Sequence, residues 1–218
     1  YEQMVNGSEG LAQFERQRMD LALAAGRIGI WDWDLVADTL YFGPDYYRLT
    51  GHDPDEYPAT FDEWASRVHP EDLAPARAAI ADHLAGSGAQ YSVQFRFRRK
   101  DGSYMWIHSR GEVMARDGEG KPTRFTGVHV DITEQKDAEY ALEKERRFSN
   151  AVMDSIPGLL YLYDANGSLV RWNRKHEELT GYGPDELYGR GLTSWYDDQE
   201  NLDRITAGVG RAVQTGYG

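Results

Sequence analysis

No cysteine occurs in the 218 residues, which excludes disulfides, thiolate nucleophiles, thiolate metal sites and cysteinyl-flavin chemistry. Long apolar runs are missing as well. No stretch approaches the roughly 18 apolar residues of a membrane span, and the N-terminus lacks a signal-peptide pattern. Basic charge is short: 24 Lys and Arg stand against 36 Asp and Glu, a formal charge of −12. A basic stripe able to neutralise nucleic-acid phosphates or dock on anionic lipid is therefore not expected. Catalytic signatures are absent too, with no G-x-x-x-x-G-K-[ST], no G-x-G-x-x-G and no H-E-x-x-H. Serines and histidines are scattered outside any nucleophile-elbow context, so no enzyme active site is expected within these residues. What is left reads as a soluble globular chain, 40% hydrophobic and 28% charged.

What is present begins with helical spacing. Leu11, Phe14, Met19, Leu21 and Ala25 in "EGLAQFERQRMDLALAA" predict an amphipathic helix over 9–25, ended by Gly26. "IGIWDWDL" then alternates, with Trp31, Trp33 and Leu35 on one face, and "DTLYFG" reads as the return strand of a hairpin. Three helical segments follow in "GPDYYRLTG", "TFDEWASRV" and "HPEDLAPARAAIADHLAG", the last with Pro70 suited to a first turn. From Tyr91 the period changes to two. "YSVQFRFRRK", "YMWIHSRGEVMA" and "TRFTGVHVDI" predict a three-stranded antiparallel meander, with Asp101-Gly102 as its first turn. Arg96, Arg98, Arg99 and Lys100 form a local basic cluster, read as a solvated strand facing acidic neighbours. "TEQKDAEYALEKERRFSNAVMDS" has no Gly or Pro and predicts one continuous helix about 33 Å long. Its 4-3 stepping through Ala138, Ala141, Glu145, Phe148 and Val152 makes a modest coiled-coil seam.

"LTGHDPDEY" at 49–57 returns as "LTGYGPDEL" at 179–187. Sliding the chain by 130 also lays Asp34 on Asp164 and Phe42 on Trp172. The second copy opens with a hairpin around Asn166-Gly167 in "LLYLYDANGSLVRWN". A tandem duplication joined by a helix is the reading.

The element order, together with "LTGHDPDEY", "VHPEDL", "RRKDGSYMWIHSRG" and "GVHVDITEQK", resembles the PAS sensory domain family. The resemblance implies an α+β fold: a five-stranded antiparallel sheet in the order second, first, fifth, fourth, third, with short helices over one face. It divides the chain into an N-terminal helix (1–26), a first PAS domain (27–132), a helical signalling linker (133–156) and the N-terminal part of a second PAS domain (157–218). That second module would hold only two strands, its first with an open edge, as in a fragment of a longer protein. The function implied is a sensory or regulatory module of a sensor histidine kinase or a cyclic-dinucleotide enzyme. It would sense a small ligand or relay a signal through the linker. A homodimer through the N-terminal and linker helices, an output domain C-terminal in the parent, and a cytoplasmic location, whether or not the parent is membrane-anchored, follow from the same resemblance.

Candidate site residues divide into three groups. Asp131 and Thr133 of "DIT" are the signal-transmission pair. Thr133 is suited to cap the following helix, and the resemblance implies that Asp131 holds the junction by hydrogen bonds or an ion pair. Trp31, Trp33, Tyr46, Trp64, Phe95 and Trp106 are candidates for a pocket wall, with simple core packing as the other account of them. Trp172 and Asn173 are the second module's candidates. No metal site is expected, and no cofactor. His83, on the helix that carries the proximal ligand in haem-binding relatives, is the residue a haem would use. Its surroundings do not match those relatives. Non-covalent flavin is the other cofactor alternative, and a ligand-free dimerisation and relay module is the third reading.

Overall fold

The structure, a computed structural model, describes residues 2–86, 90–195, 200 and 203, with side chains from residue 13 onward. The chain divides into two compact units, Tyr1–Glu139 and Tyr140–Gly218.

The first unit opens with α1 (Glu2–Ala25), which starts seven residues before the sequence expectation. Gly7 and Gly10 lie inside it, but an interior glycine costs only about 1 kcal/mol relative to alanine, and no proline intervenes. The hairpin β1 (Ile28–Asp34) and β2 (Thr39–Phe42) follows, then α2 (Pro44–Leu49), α3 (Phe61–Arg67) and α4 (Pro70–Leu84). The meander is β3 (Tyr91–Arg98), β4 (Tyr104–Arg116) and β5 (Pro122–Asp131). All pairings are antiparallel and the strand order is β2-β1-β5-β4-β3, the order the resemblance implies. Alternation does the sorting. Tyr91, Phe95 and Phe97 of β3 and Met105 and Ile107 of β4 are buried under the helices, while Ser92, Gln94 and Arg98 face water.

At the centre of the sheet Trp31 is paired with Gly127, and Gly127 with Gly111. The indole lies over both glycines. A Cβ on Gly127 would fall 2.4 Å from Trp31 Cζ2 and 2.1 Å from the Arg110 carbonyl oxygen, and one on Gly111 would fall 2.7 Å from Trp31 Cη2. Only a strand pair without side chains leaves room for the ring. Phe125 closes one side of it edge-on, at 4.7 Å between centroids. At the sheet's rim Arg96 donates to Asp72 (2.8 and 2.9 Å) and Glu71 (2.8 Å), tying β3 to the start of α4. The basic cluster does face acidic neighbours.

The helix α5 (Thr133–Ser155) leads into β6 (Tyr161–Tyr163), β7 (Leu169–Trp172), α6 (Arg174–Thr180), α7 (Pro184–Leu187) and a 3-10 turn at Leu192–Trp195. Its hairpin β6-β7 is a two-stranded sheet among the described residues. The rest of the second-module expectation lies outside the described residues. The repeat is visible at the level of single hydrogen bonds. Asp34 accepts backbone N–H bonds from Val36 and Ala37, and Asp164 accepts them from Asn166 and Ser168. Glu56 accepts from Asp53 N–H and Glu186 from Gly183 N–H, both at 2.9 Å. Gly43 N–H donates to Ile30, and Asn173 N–H to Leu160, again 130 positions on.

Gly127→Ala should lower the unfolding free energy by about 2–3 kcal/mol through overpacking. Gly118→Ala, where an added Cβ meets nothing within 4 Å, should move it by less than about 0.5 kcal/mol. Urea denaturation of both variants beside the parent chain measures the difference.

Candidate functional site

Between the sheet and the helices lies a cavity of about 30 Å³ whose wall includes Trp31, Trp33, Tyr46, Trp64, Ser109 and His129. Four of the six predicted pocket residues line it. Phe95 is fully buried behind them, edge-on to Trp64 at 5.8 Å. Trp106 does not belong to this wall. It sits on the opposite face of β4 from Met105 and Ile107, with Arg96 and Lys136 each 5.7 Å from its ring.

A space of this size suits one or two water molecules, against the several hundred Å³ that enclose a drug-sized ligand. Trp31 Nε1 and Tyr46 Oη reach no hydrogen-bond partner in the protein, so the cavity has a polar as well as an aromatic lining. It fits neither a haem nor a flavin. His83 is half-buried on α4, with its ring packed 5.3 Å from Phe125 and 6.1 Å from Tyr91.

Sequence reasoning missed His129. Strand alternation places it in register with Phe125 and Gly127 on the core face, and pairing across the sheet brings it under Tyr46, at 4.9 Å. It is buried among Tyr46, Phe95 and Phe97. Loss of hydration pushes its pKa down to about 3, so it is neutral at ordinary pH.

The second site is the junction between β5 and α5. The Asp131 side chain is fully shielded from solvent. Its Oδ1 accepts the Thr133 N–H at 2.9 Å, and its Oδ2 is ion-paired with Arg27, the second residue after α1. Arg27 also reaches Glu134 at 2.7 Å, and its carbonyl accepts the Asp131 N–H at 3.2 Å. Arg99 stands 3.7 Å from the same carboxylate. Thr133 behaves differently from the expectation of a cap. Its hydroxyl accepts the Trp106 N–H at 3.0 Å, fixing the helix to β4, and the Ile132 carbonyl takes the helix's first bond from Lys136. The capping acceptor is Asp131. A strand end, an incoming helix and an outgoing helix meet at one carboxylate.

In the second module the expected pocket pair is committed elsewhere. Asn173 is fully buried. Its amide nitrogen donates to the Gly158 carbonyl at 2.8 Å and its oxygen accepts Leu160 N–H at 3.0 Å, so it pins the turn after α5. Trp172 donates to Glu177 at 2.9 Å and borders an open surface hollow beside Met153 and Asp154.

A family model described as PAS fold matches residues 39–129, and one described as PAS domain matches 158–209. The crystal structure of a sensory box histidine kinase/response regulator from Burkholderia thailandensis E264 is 31% identical, with a TM-score of 0.53, covering 62% of this chain and 98% of that one. The chain belongs to the PAS family. Sensor protein FixL of Bradyrhizobium diazoefficiens is 27% identical over 199 residues, which is 85% of this chain and 39% of that protein. The probable diguanylate cyclase DgcE of Escherichia coli is 29% identical over 182 residues, 84% of this chain and 16% of that protein. The PAS chain thus spans well under half the length of these relatives. It is a sensory region of a signal-transduction protein. No helix among the described residues is long and apolar enough to cross a membrane.

The buried histidine gives a pH dependence of defined sign. Below pH 6.5 the unfolded chain takes up a proton that the folded chain refuses until about pH 3. Stability from this group is therefore complete above 6.5 and is lost as the pH falls. The loss between pH 7 and pH 5 should be about 2 kcal/mol. His129→Leu should flatten the stability profile by that amount over this interval, measured by urea denaturation at each pH. Parallel profiles would contradict the assignment.

Proposed function

We propose that the chain is the sensory and relay region of a sensor histidine kinase or a cyclic-dinucleotide enzyme, and that its first PAS module passes the signal into α5 through Asp131. The observation that carries this reading is the buried Asp131 carboxylate, shared between Arg27, two residues past α1, and the first turn of α5. The size of the core cavity favours relay over ligand capture. Little can enter while Trp31 occupies the space above Gly111 and Gly127. The cofactor-bearing alternatives need a volume that the cavity does not offer.

The working division keeps the N-terminal amphipathic helix (1–26), the first PAS domain (27–132), the helical signalling linker (133–156) and the N-terminal part of a second PAS domain (157–218). Homodimerisation through α1 and α5 is part of the proposal. Phe14, Met19 and Leu21 on α1 and Tyr140, Leu142, Phe148 and Val152 on α5 are exposed large apolar side chains. Such residues on a helix surface gain from a partner helix. The output domain belongs to the parent protein.

Asp131→Ala tests the transmission step in the full-length parent. Coupling between sites is typically about 1–3 kcal/mol, or 5- to 150-fold, so the response of the output should drop at least about fivefold. The thermal unfolding of the first module should stay cooperative. An output that responds as before, from a folded variant, would remove Asp131 from the signalling path.

A further inference from the structure

We infer that the junction is a two-position joint in which Arg27 and Arg99 compete for Asp131, so that the start of α5 can be tied to either of two input elements. This rests on reading Asp131 as the transmission point. One oxygen of the carboxylate is already committed to Thr133 N–H. The other, Oδ2, is engaged by Arg27 and has Arg99 waiting at 3.7 Å, beyond hydrogen-bond reach.

The two arginines report on different parts of the module. Arg27 follows α1 immediately after Gly26 and takes a left-handed backbone conformation, φ +50°, so that its carbonyl and side chain both turn toward Asp131. Its position follows α1. Arg99 belongs to the β3–β4 hairpin, where its N–H donates to Ser103 at 2.8 Å. The next residue, Lys100, donates from its backbone to Thr50 at 3.0 Å and from its side chain to Glu56 at 2.8 Å. Arg99 therefore follows the α2–α3 segment that roofs the core. Its Nε–H is shielded from water and has no hydrogen-bond partner, which leaves it with a donor to spend.

A fully buried carboxylate cannot remain without a cation at small cost. Among the described residues, Arg27 and Arg99 are the cations within ion-pair reach of it. A displacement of α1 that withdraws Arg27 hands Asp131 to Arg99. The outgoing helix is then held by the hairpin and the roof of its own core. Return of α1 reverses the exchange. The joint selects whether α5 is held by the upstream helix or by the module's own core.

The test is amide hydrogen exchange at Thr133–Lys136 in the whole chain, for Arg27→Gln, Arg99→Gln and the double variant. If the carboxylate is shared, each single variant keeps one cation and should raise exchange by less than about threefold, and the double by more than about thirtyfold. A double variant no worse than the larger single, or an Arg27→Gln variant already as exposed as the double, overturns the proposal. If the double variant does not fold, Asp131→Asn is added to it. Recovery of the fold then supports sharing, because the unpaired buried charge was the defect, and no recovery overturns it. The readout is local to the joint. An output indifferent to Asp131 in the parent would sink the transmission reading and leave this result standing.

Discussion

The Trp31 indole on its floor of two glycines is the constraint from which the rest of the first module follows. A tryptophan side chain buries about 150–250 Å², worth at most about 4–6 kcal/mol at 25 cal/mol per Å². The ring brings Phe125 and Tyr91 edge-on against it, at 4.7 and 6.1 Å between centroids, and packs the sheet into one body with its helices. A floor of glycine is also what a planar guest would need. Here the protein's own side chain lies on it, and the space left over is about 30 Å³. Sensing through an occupied core and relaying through a filled one are physically different tasks, and a cavity of about 30 Å³ is what supports the proposed relay.

A filled core moves the interest to the edge of the sheet. Burying Asp131 is weak evidence for stability, because desolvating a carboxylate costs about as much as its pairing returns, and Arg27 is itself 46% exposed. What the pairing fixes is position. Asp131 and Thr133 hold the first turn of α5 by two independent bonds, one from the carboxylate and one from the Trp106 N–H to the Thr133 hydroxyl. The second bond belongs to β4 and does not depend on any arginine. The helix can therefore change its ionic partner without leaving the sheet. A transmitting joint needs this combination: an anchor that stays and a contact that exchanges at small net cost.

Most of the fold was legible because it rests on local periodicity. Alternation marked β3, β4 and β5, and the 130-residue offset marked the second module. The site was legible only where local rules decide it. Trp106 was assigned to the pocket for being aromatic, although strand parity places it with Tyr104 and His108, away from Met105 and Ile107. That error was avoidable. The use of the Thr133 hydroxyl was not foreseeable, since Thr133 and Asp131 both belong to the preferred capping types and the Trp106 N–H that claims the hydroxyl lies 27 positions away. The grip of Asn173, named only as a pocket candidate, on the turn after α5 and the pairing of Arg27 with Asp131 were invisible for the same reason. Their roles exist only once the chain has folded back on itself.

The two modules share backbone positions but use them differently. Trp31 has Tyr161 as its counterpart, 53% exposed, and Tyr46 has the buried His176. The largest change is at Gly43, whose counterpart Asn173 carries the amide that grips the turn after α5. Asp154, near the end of α5, accepts the N–H of Arg174 at 2.8 Å, so the linker helix supplies the capping acceptor that α6 lacks from its own side chains. A glycine at position 173 could make none of the side-chain bonds. The linker is thus bonded at its start to the sheet that precedes it and at its end to the helix that follows it, by different residues at each end. The 23-residue helix between these bonds has no buried side chain of its own, so within each unit it is these hydrogen bonds, and not apolar packing, that fix where the helix begins and where it ends.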